Sequence, residues 1–260
     1  MKPTALITGA SRGIGAEFAR IFAGRGMNLV ITARNGLELR QLKHEIEGKS
    51  PVSVLCFEKD LSKPENVQSL FDAVKAENIS IDYLVNNAGF GDYGYFMSSD
   101  WERQESMIDL NVNALTHLCH LFIREWKDRK SGRILNVSST ASFQPGPGMS
   151  VYYATKAFVS SFSQALHHEL KGSGISVTTL CPGPTESHFA EAARVHQSSK
   201  LLRSSRLPSS FDVALFGYEA MMKGKSLVIH GNSNRFLAFL TRFVPRKLMA
   251  MISAKVLAWK

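Results

Sequence analysis

Cysteine is scarce in this 260-residue chain, and the three that occur, Cys56, Cys119 and Cys181, are odd in number, widely spaced and set in apolar surroundings. They give no disulfide framework; buried, reduced thiols of a cytoplasmic protein are expected. No charged-then-apolar leader precedes the first apolar run, because Met1, Lys2 and Pro3 lead straight into it. No charge-free apolar run approaches the ~18 residues of a membrane-spanning helix. His117, Cys119 and His120, like the pair His167 and His168, fit no zinc spacing, so no metal site is expected. Repeats, low-complexity tracts and interdomain linkers are absent. Acidic residues are missing after Glu219, whereas Lys223, Lys225, Arg235, Arg242, Arg246, Lys247, Lys255 and Lys260 follow it. Removing those eight from the 31 basic residues leaves 23 against 22 acidic ones, so the net +9 belongs mainly to the C-terminal segment. A nearly neutral body without a supporting motif gives no case for nucleic-acid binding.

What the sequence does contain is an alternation of apolar runs of strand length with helical patterns. Strands are expected at 4–8, 28–33, 52–57, 82–86, 132–138, 175–181 and 226–230. Helices are expected near 13–24, 37–47, 64–77, 100–127, 151–171 and 209–222, with Pro64 in a first turn and Asp100 as an N-cap. Buried strands alternating with helices predict an α/β fold, a single doubly wound domain whose parallel sheet has seven strands and helices on both faces. Residues 1–231 would form this catalytic domain, and 232–260 a basic, amphipathic helical extension of it.

Two clusters carry chemistry. The segment ALITGASRGIG reads as a strand, a glycine turn and a helix start, with Gly9, Gly13 and Gly15 spaced GxxxGxG. Glycine permits the sharp turn and lets backbone N–H groups approach a pyrophosphate, and the helix offers its positive end to the phosphates. In YYATK, Tyr152 and Lys156 are four residues apart and share a helix face. An ammonium beside a phenol favours the phenolate and lowers a pKa that is otherwise about 10, which makes tyrosine a proton donor and acceptor near neutrality. Tyr153 lies three residues from Lys156, so helix geometry alone does not exclude it. Strand alternation places Ser138 and Ser139 on opposite sides.

Taken in order, these motifs resemble the short-chain dehydrogenase/reductase family over roughly residues 4–231. TGASRGIG (8–15) is similar to its cofactor turn, NNAG (86–89) to its motif after the fourth strand, and Asn111 in LNVNA to its active-site asparagine. Ser139 lies thirteen residues before Tyr152, the family spacing, and CPGPT (181–185) resembles the segment that closes over the nicotinamide. The resemblance implies a Rossmann fold and reversible hydride transfer between a nicotinamide and a carbonyl/alcohol pair. Tyr152 would act as acid and base, Lys156 would tune it and hold the ribose, Ser139 would orient the substrate oxygen, and Asn111 would hold a relay water. The implied cofactor contacts are Gly9, Ser11, Arg12, Gly13, Ile14, Gly15, Arg34, Asp60, Asn87, Ala88, Gly89, Tyr152, Lys156, Pro182, Gly183 and Thr185. A homodimer or homotetramer, paired through the helices at 100–127 and 151–171, is implied as well.

Cofactor choice rests on ITARNG, where Arg34 stands at the place of the carboxylate that holds an NAD ribose. A guanidinium suits a 2′-phosphate instead, and Arg12 adds a second cation, so NADP(H) is expected. Arg34 as a solvated loop charge, and Asp60 as a capping residue rather than an adenine contact, are the structural alternatives. Substrate would lie between 142–150 and the stretch from Pro184 to about Pro208. Phe90, Phe143, Met149 and Phe189 offer apolar walls for a lipophilic ketone, a 3-oxoacyl derivative or a steroid-like molecule; Arg194, Lys200, Arg203 and Arg206 offer charge for an acidic group. In the tail, Pro245 separates two short helices, and Val244, Leu248, Ile252, Val256 and Trp259 line one face. Three roles fit it: packing beside the cleft, a subunit contact, or peripheral attachment to an anionic membrane. The rival to an enzyme is a non-catalytic NADP(H)-binding sensor or scaffold, which would be expected to lose Ser139, Tyr152 or Lys156; all three are present.

Overall fold

The computed structural model describes residues 2–186, 189, 193–194 and 207–257. Seven strands, β1 (Thr4–Thr8), β2 (Asn28–Ala33), β3 (Val54–Glu58), β4 (Tyr83–Asn86), β5 (Gly132–Val137), β6 (Ile175–Cys181) and β7 (Leu227–Ile229), form one sheet in the order 3-2-1-4-5-6-7. Every pairing is parallel. The helices are α1 (Gly13–Gly24), α2 (Gly36–Lys49), α3 (Pro64–Ala76), α4 (Trp101–Ile108), α5 (Leu115–Arg129), α6 (Ser150–Glu169), α7 (Ser210–Met222), α8 (Asn232–Leu240) and α9 (Arg246–Val256).

Strand alternation divides the core. Ala5 and Ile7, Leu29 and Ile31, and Leu135 and Val137 face one layer, where they meet Phe18 and Phe22 of α1, Leu39 and Leu42 of α2 and Val213 of α7. Leu6, Val30 and Ile134 point to the other, against Leu70 of α3, Phe122 and Trp126 of α5 and Val159 of α6. Both sheet faces are therefore apolar, which is why these strands read as continuous runs. A third, smaller cluster of Met107, Ala141, Met149, Tyr152, Tyr153, Ala193 and Leu257 holds both tyrosines and a residue of the tail.

The expected doubly wound sheet is thus the observed one. Differences are local. The third strand begins at Val54 rather than residue 52, and the helix expected over 100–127 is interrupted by a π-helical turn, Asp109–Ala114. Asp100 does cap α4, accepting from the Glu102 N–H at 3.1 Å, and Pro64 opens α3. Among the described residues, no helix is long and apolar enough to cross a membrane.

Candidate active site

Strand order reverses direction between β1 and β4, and a crevice opens there beyond the strand C-termini, the place where sheets of this kind take ligands. The turn after β1 is held by the segment after β4. Thr8 Oγ1 accepts from the N–H groups of Asn87 (3.1 Å) and Ala88 (3.0 Å), while Asn87 Nδ2 donates to the carbonyls of Thr8 (3.0 Å) and Gly9 (3.1 Å). Gly9 has φ +65°, and a Cβ on Gly15 would stand 2.2 Å from the Gly9 oxygen, so α1 packs against its own turn at a distance only glycine allows. No side chain caps α1 and its first turn carries no acid, so its leading N–H groups remain available to an anion. This cradle fits a dinucleotide pyrophosphate.

A cavity of about 710 Å³ runs from this turn across the C-terminal ends of β4, β5 and β6. Of the residues singled out in the sequence, Gly9, Arg12, Gly13, Ile14, Asn87, Ala88, Gly89, Ser139, Tyr152, Lys156, Pro182, Gly183 and Thr185 line it. Ser11, Gly15, Arg34, Asp60 and Asn111 do not. Gly15 acts through packing. Arg34 is exposed at the end of β2. Asp60 accepts from the Ser62 N–H (3.1 Å) and hydroxyl (2.8 Å) in the loop before α3, whose N-cap is Lys63 without a side-chain cap, so the capping alternative is not observed. Arg12 is bound to Glu38, its Nε donating to Oε1 at 2.7 Å, so one of the two cations expected at the ribose is already matched by a carboxylate.

Helix α6 delivers Tyr152 and Lys156 to the same wall, with Lys156 Nζ 5.9 Å from the centre of the Tyr152 ring and donating to the Val137 carbonyl at 2.9 Å. Ser139 lines the same wall, its Oγ accepting from the Ala141 N–H at 3.1 Å. Ser138 also lines the cavity, but its hydroxyl is taken up by the Lys156 carbonyl and Ser160, both at 2.8 Å. Tyr153 also reaches the cavity, but it is pushed up to about 12 by burial alone, whereas Ser139 opposes the burial of Tyr152.

The electrostatics differ from the simple pair read from the sequence. Burial holds Lys156 down at about 8 and pushes Tyr152 above its ordinary value; the neighbouring Ser139 hydroxyl offsets only part of that rise. Both side chains are almost wholly enclosed, so desolvation penalises the charged form of each.

Asn111 lies in the π turn, a feature frequent at functional sites, and is fully buried. Its Nδ2 donates to the Phe90 carbonyl (2.9 Å) and to Thr155 Oγ1 (3.1 Å), and its Oδ1 accepts from the Phe90 N–H (3.1 Å). These bonds tie the π turn to the segment after β4 and to α6.

The family model for short chain dehydrogenases matches residues 3–198 of this chain. The chain belongs to the short-chain dehydrogenase/reductase family. It is an NAD(P)-dependent oxidoreductase. It is 34% identical over 250 residues to the sulfoacetaldehyde reductase of Chromohalobacter salexigens, covering 93% of this chain and 95% of that one. Among solved structures, a short-chain dehydrogenase from Sphingobium yanoikuyae in complex with NADPH superposes with TM-score 0.82 at 32% identity, over 95% of each chain. The bulky-bulky ketone specific alcohol dehydrogenase of Comamonas testosteroni gives 0.78 at 29%, over 93% of this chain and 92% of its own.

What the sequence concealed about this dehydrogenase is the far wall of its cavity. Of the four apolar candidates, Met149 and Phe189 line it, the Phe189 ring 5.2 Å from that of Tyr152; Phe90 and Phe143 do not. The remaining apolar wall comes from the tail, through Leu237, Val244, Met249, Ile252, Val256 and Leu257. Helix α8 seats Asn234 on Gly183, where a Cβ would come within 2.4 Å of Asn234 Nδ2. At the other end, Tyr93 Oη donates to the Leu257 carbonyl at 3.1 Å. Of the three roles read for the tail, packing beside the cleft is the one observed within the chain. After Pro245 its buried residues, among those described, are Ser253 and Leu257; of the expected stripe, Val244, Ile252 and Val256 line the cavity, while Leu248, Ile252 and Val256 stay partly exposed. Arg194 is exposed. Lys200, Arg203, Arg206 and Trp259 lie outside the described residues.

Proposed function

We propose that this dehydrogenase is an NADP(H)-dependent carbonyl reductase acting on a lipophilic ketone, a 3-oxoacyl derivative or a steroid-like substrate. The observation that carries the reading is the meeting of Ser139, Tyr152 and Lys156 on one wall of a cavity whose other end is the glycine cradle. Bound NADP(H) supplies or accepts the hydride. Ser139 holds the substrate oxygen beside Tyr152, and Tyr152 gives its proton to the developing alkoxide. Lys156 stabilises the phenolate left behind and holds the ribose hydroxyls. A Cβ on Gly89 would stand 2.9 Å from Asn111 Oδ1 and 3.3 Å from Lys156 Nζ, so glycine leaves these two polar groups room on the same side of the segment after β4.

The preference for NADP(H) rests on Arg12 in the glycine turn, on Arg34 at the end of β2 and on the NADPH-bound relative. The substrate class rests on the apolar tail wall and on the bulky-ketone enzyme of similar fold. Helix α6 leaves Ala154, Ala157, Phe158, Ser161 and Ala165 exposed along one face, a surface suited to pairing with a second copy in a homodimer or homotetramer. Three unpaired thiols suit a cytoplasmic location. Tyr152→Phe removes only the hydroxyl. It should abolish NADPH oxidation in a screen of aliphatic ketones, quinones, 3-oxoacyl thioesters and steroids while leaving NADPH binding measurable; retained turnover would refute the assignment. Binding of NADPH with no turnover of any member of the screen by the unaltered protein would favour the sensor reading.

A further inference from the structure

The tail has a second face that the cavity does not use. In α8 the residues turned to the body are Asn234, Ala238 and Thr241, three to four apart. Opposite them, at helical spacing, stand Phe236, Phe239 and Phe243, with exposures of 62%, 52% and 70%. The Phe239 and Phe243 rings pack edge to face at 5.1 Å. In α9, with Ser253 and Leu257 buried, Leu248 and Met251 point outward at 47% and 54%. None of these five lines the cavity. The two helices are already anchored through Gly183, Tyr93 and the buried Leu257, so this apolar surface is surplus to their packing. Soluble proteins rarely expose so much contiguous apolar area without a partner.

Charge decides which partner. Arg235, Arg242, Arg246, Lys247 and Lys255 are exposed around these aromatic and aliphatic residues, and no carboxylate follows Glu219 in the sequence. A second copy meeting this face about a two-fold axis would set the same cations against themselves. An anionic lipid surface offers the opposite charge together with an apolar layer of the depth that exposed phenylalanines enter. We propose that α8 and α9 dock the enzyme on an anionic membrane surface, with Phe236, Phe239, Phe243, Leu248 and Met251 entering the headgroup–acyl boundary. Leu240, Ile252 and Val256 both line the cavity and remain partly exposed, so docking brings the rim of the cleft against the lipid.

The test is sedimentation of the full-length protein with phosphatidylcholine vesicles, with and without phosphatidylglycerol. Binding is expected at low salt with phosphatidylglycerol present, and its loss at high salt or on phosphatidylcholine alone. Phe236→Ser with Phe243→Ser, and separately Arg242→Glu with Lys247→Glu, should each lower the partition coefficient about tenfold or more. All four positions are exposed, so NADPH binding should persist in both variants. Failure to sediment at low salt with phosphatidylglycerol, or sedimentation indifferent to both variants, would overturn the proposal. So would a dimer in light scattering that Phe236→Ser with Phe243→Ser dissociates, because a second copy would then be the occupant.

Discussion

Lys156 should weaken the cofactor-free fold that contains it. Its ammonium is enclosed beside Tyr152 with one carbonyl partner, and burial lowers its pKa from 10.5 to about 8. In the unfolded chain the lysine keeps its ordinary value, so near neutral pH the folded state bears the cost of a charge it does not favour. The difference corresponds to on the order of 3 kcal/mol. Replacing Lys156 with Met, of similar length, removes that cost but leaves the Val137 oxygen without its donor, offsetting about 1 kcal/mol. The variant should therefore be more stable than the parent by about 2 kcal/mol near pH 7. The pH dependence is the sharper test. Between about 8 and 10.5 the unfolded lysine holds a proton that the folded one has lost, so parent stability rises with pH relative to Lys156→Met. Nearly all of the advantage of the variant, about 2 kcal/mol, should vanish between about pH 7 and pH 9.5. Tyr152 is common to both proteins and its titration cancels. Urea unfolding of the cofactor-free proteins across this range measures the gap. Two stability profiles running parallel would show that burial does not hold the lysine down and would undo the electrostatic account of the site.

Other perturbations probe the cradle. Gly15→Ala places a methyl 2.2 Å from the Gly9 carbonyl, with backbone on both sides of the clash. It should cost about 1–3 kcal/mol in urea unfolding and weaken dinucleotide binding; unchanged stability would mean that the turn is looser than its hydrogen bonds imply. Glu38→Gln frees Arg12 from its carboxylate. NADPH affinity should rise about fivefold relative to NADH in fluorescence titrations, the scale of one surface charge pair; an unchanged ratio would separate Arg12 from cofactor choice.

Local signals sufficed wherever the chain repeats a simple period. Ala5, Leu6 and Ile7 announce a strand buried on both faces, and Gly9, Gly13 and Gly15 announce the turn that follows, because these features depend on neighbours a few residues away. Ser139, Tyr152 and Lys156 were readable because their spacing is set by one strand end and one helix. Glu38 was not singled out, although Asn35, which accepts from the Glu38 N–H at 3.2 Å, marks it as a first-turn residue of α2. Nothing in the sequence says that this turn lies against Arg12.

The sequence by itself determined the alternation, the parallel doubly wound sheet and the glycine turn, since backbone sterics and apolar period act at short range. Only the tertiary structure decided that Asn87 clamps that turn, that Lys156 loses most of its solvent, and that the tail closes the cavity with one face while leaving phenylalanines on the other. Burial, and therefore pKa and exposure, depends on which distant segments arrive at a residue, and the packing of α8 and α9 across the cleft sets that for this enzyme.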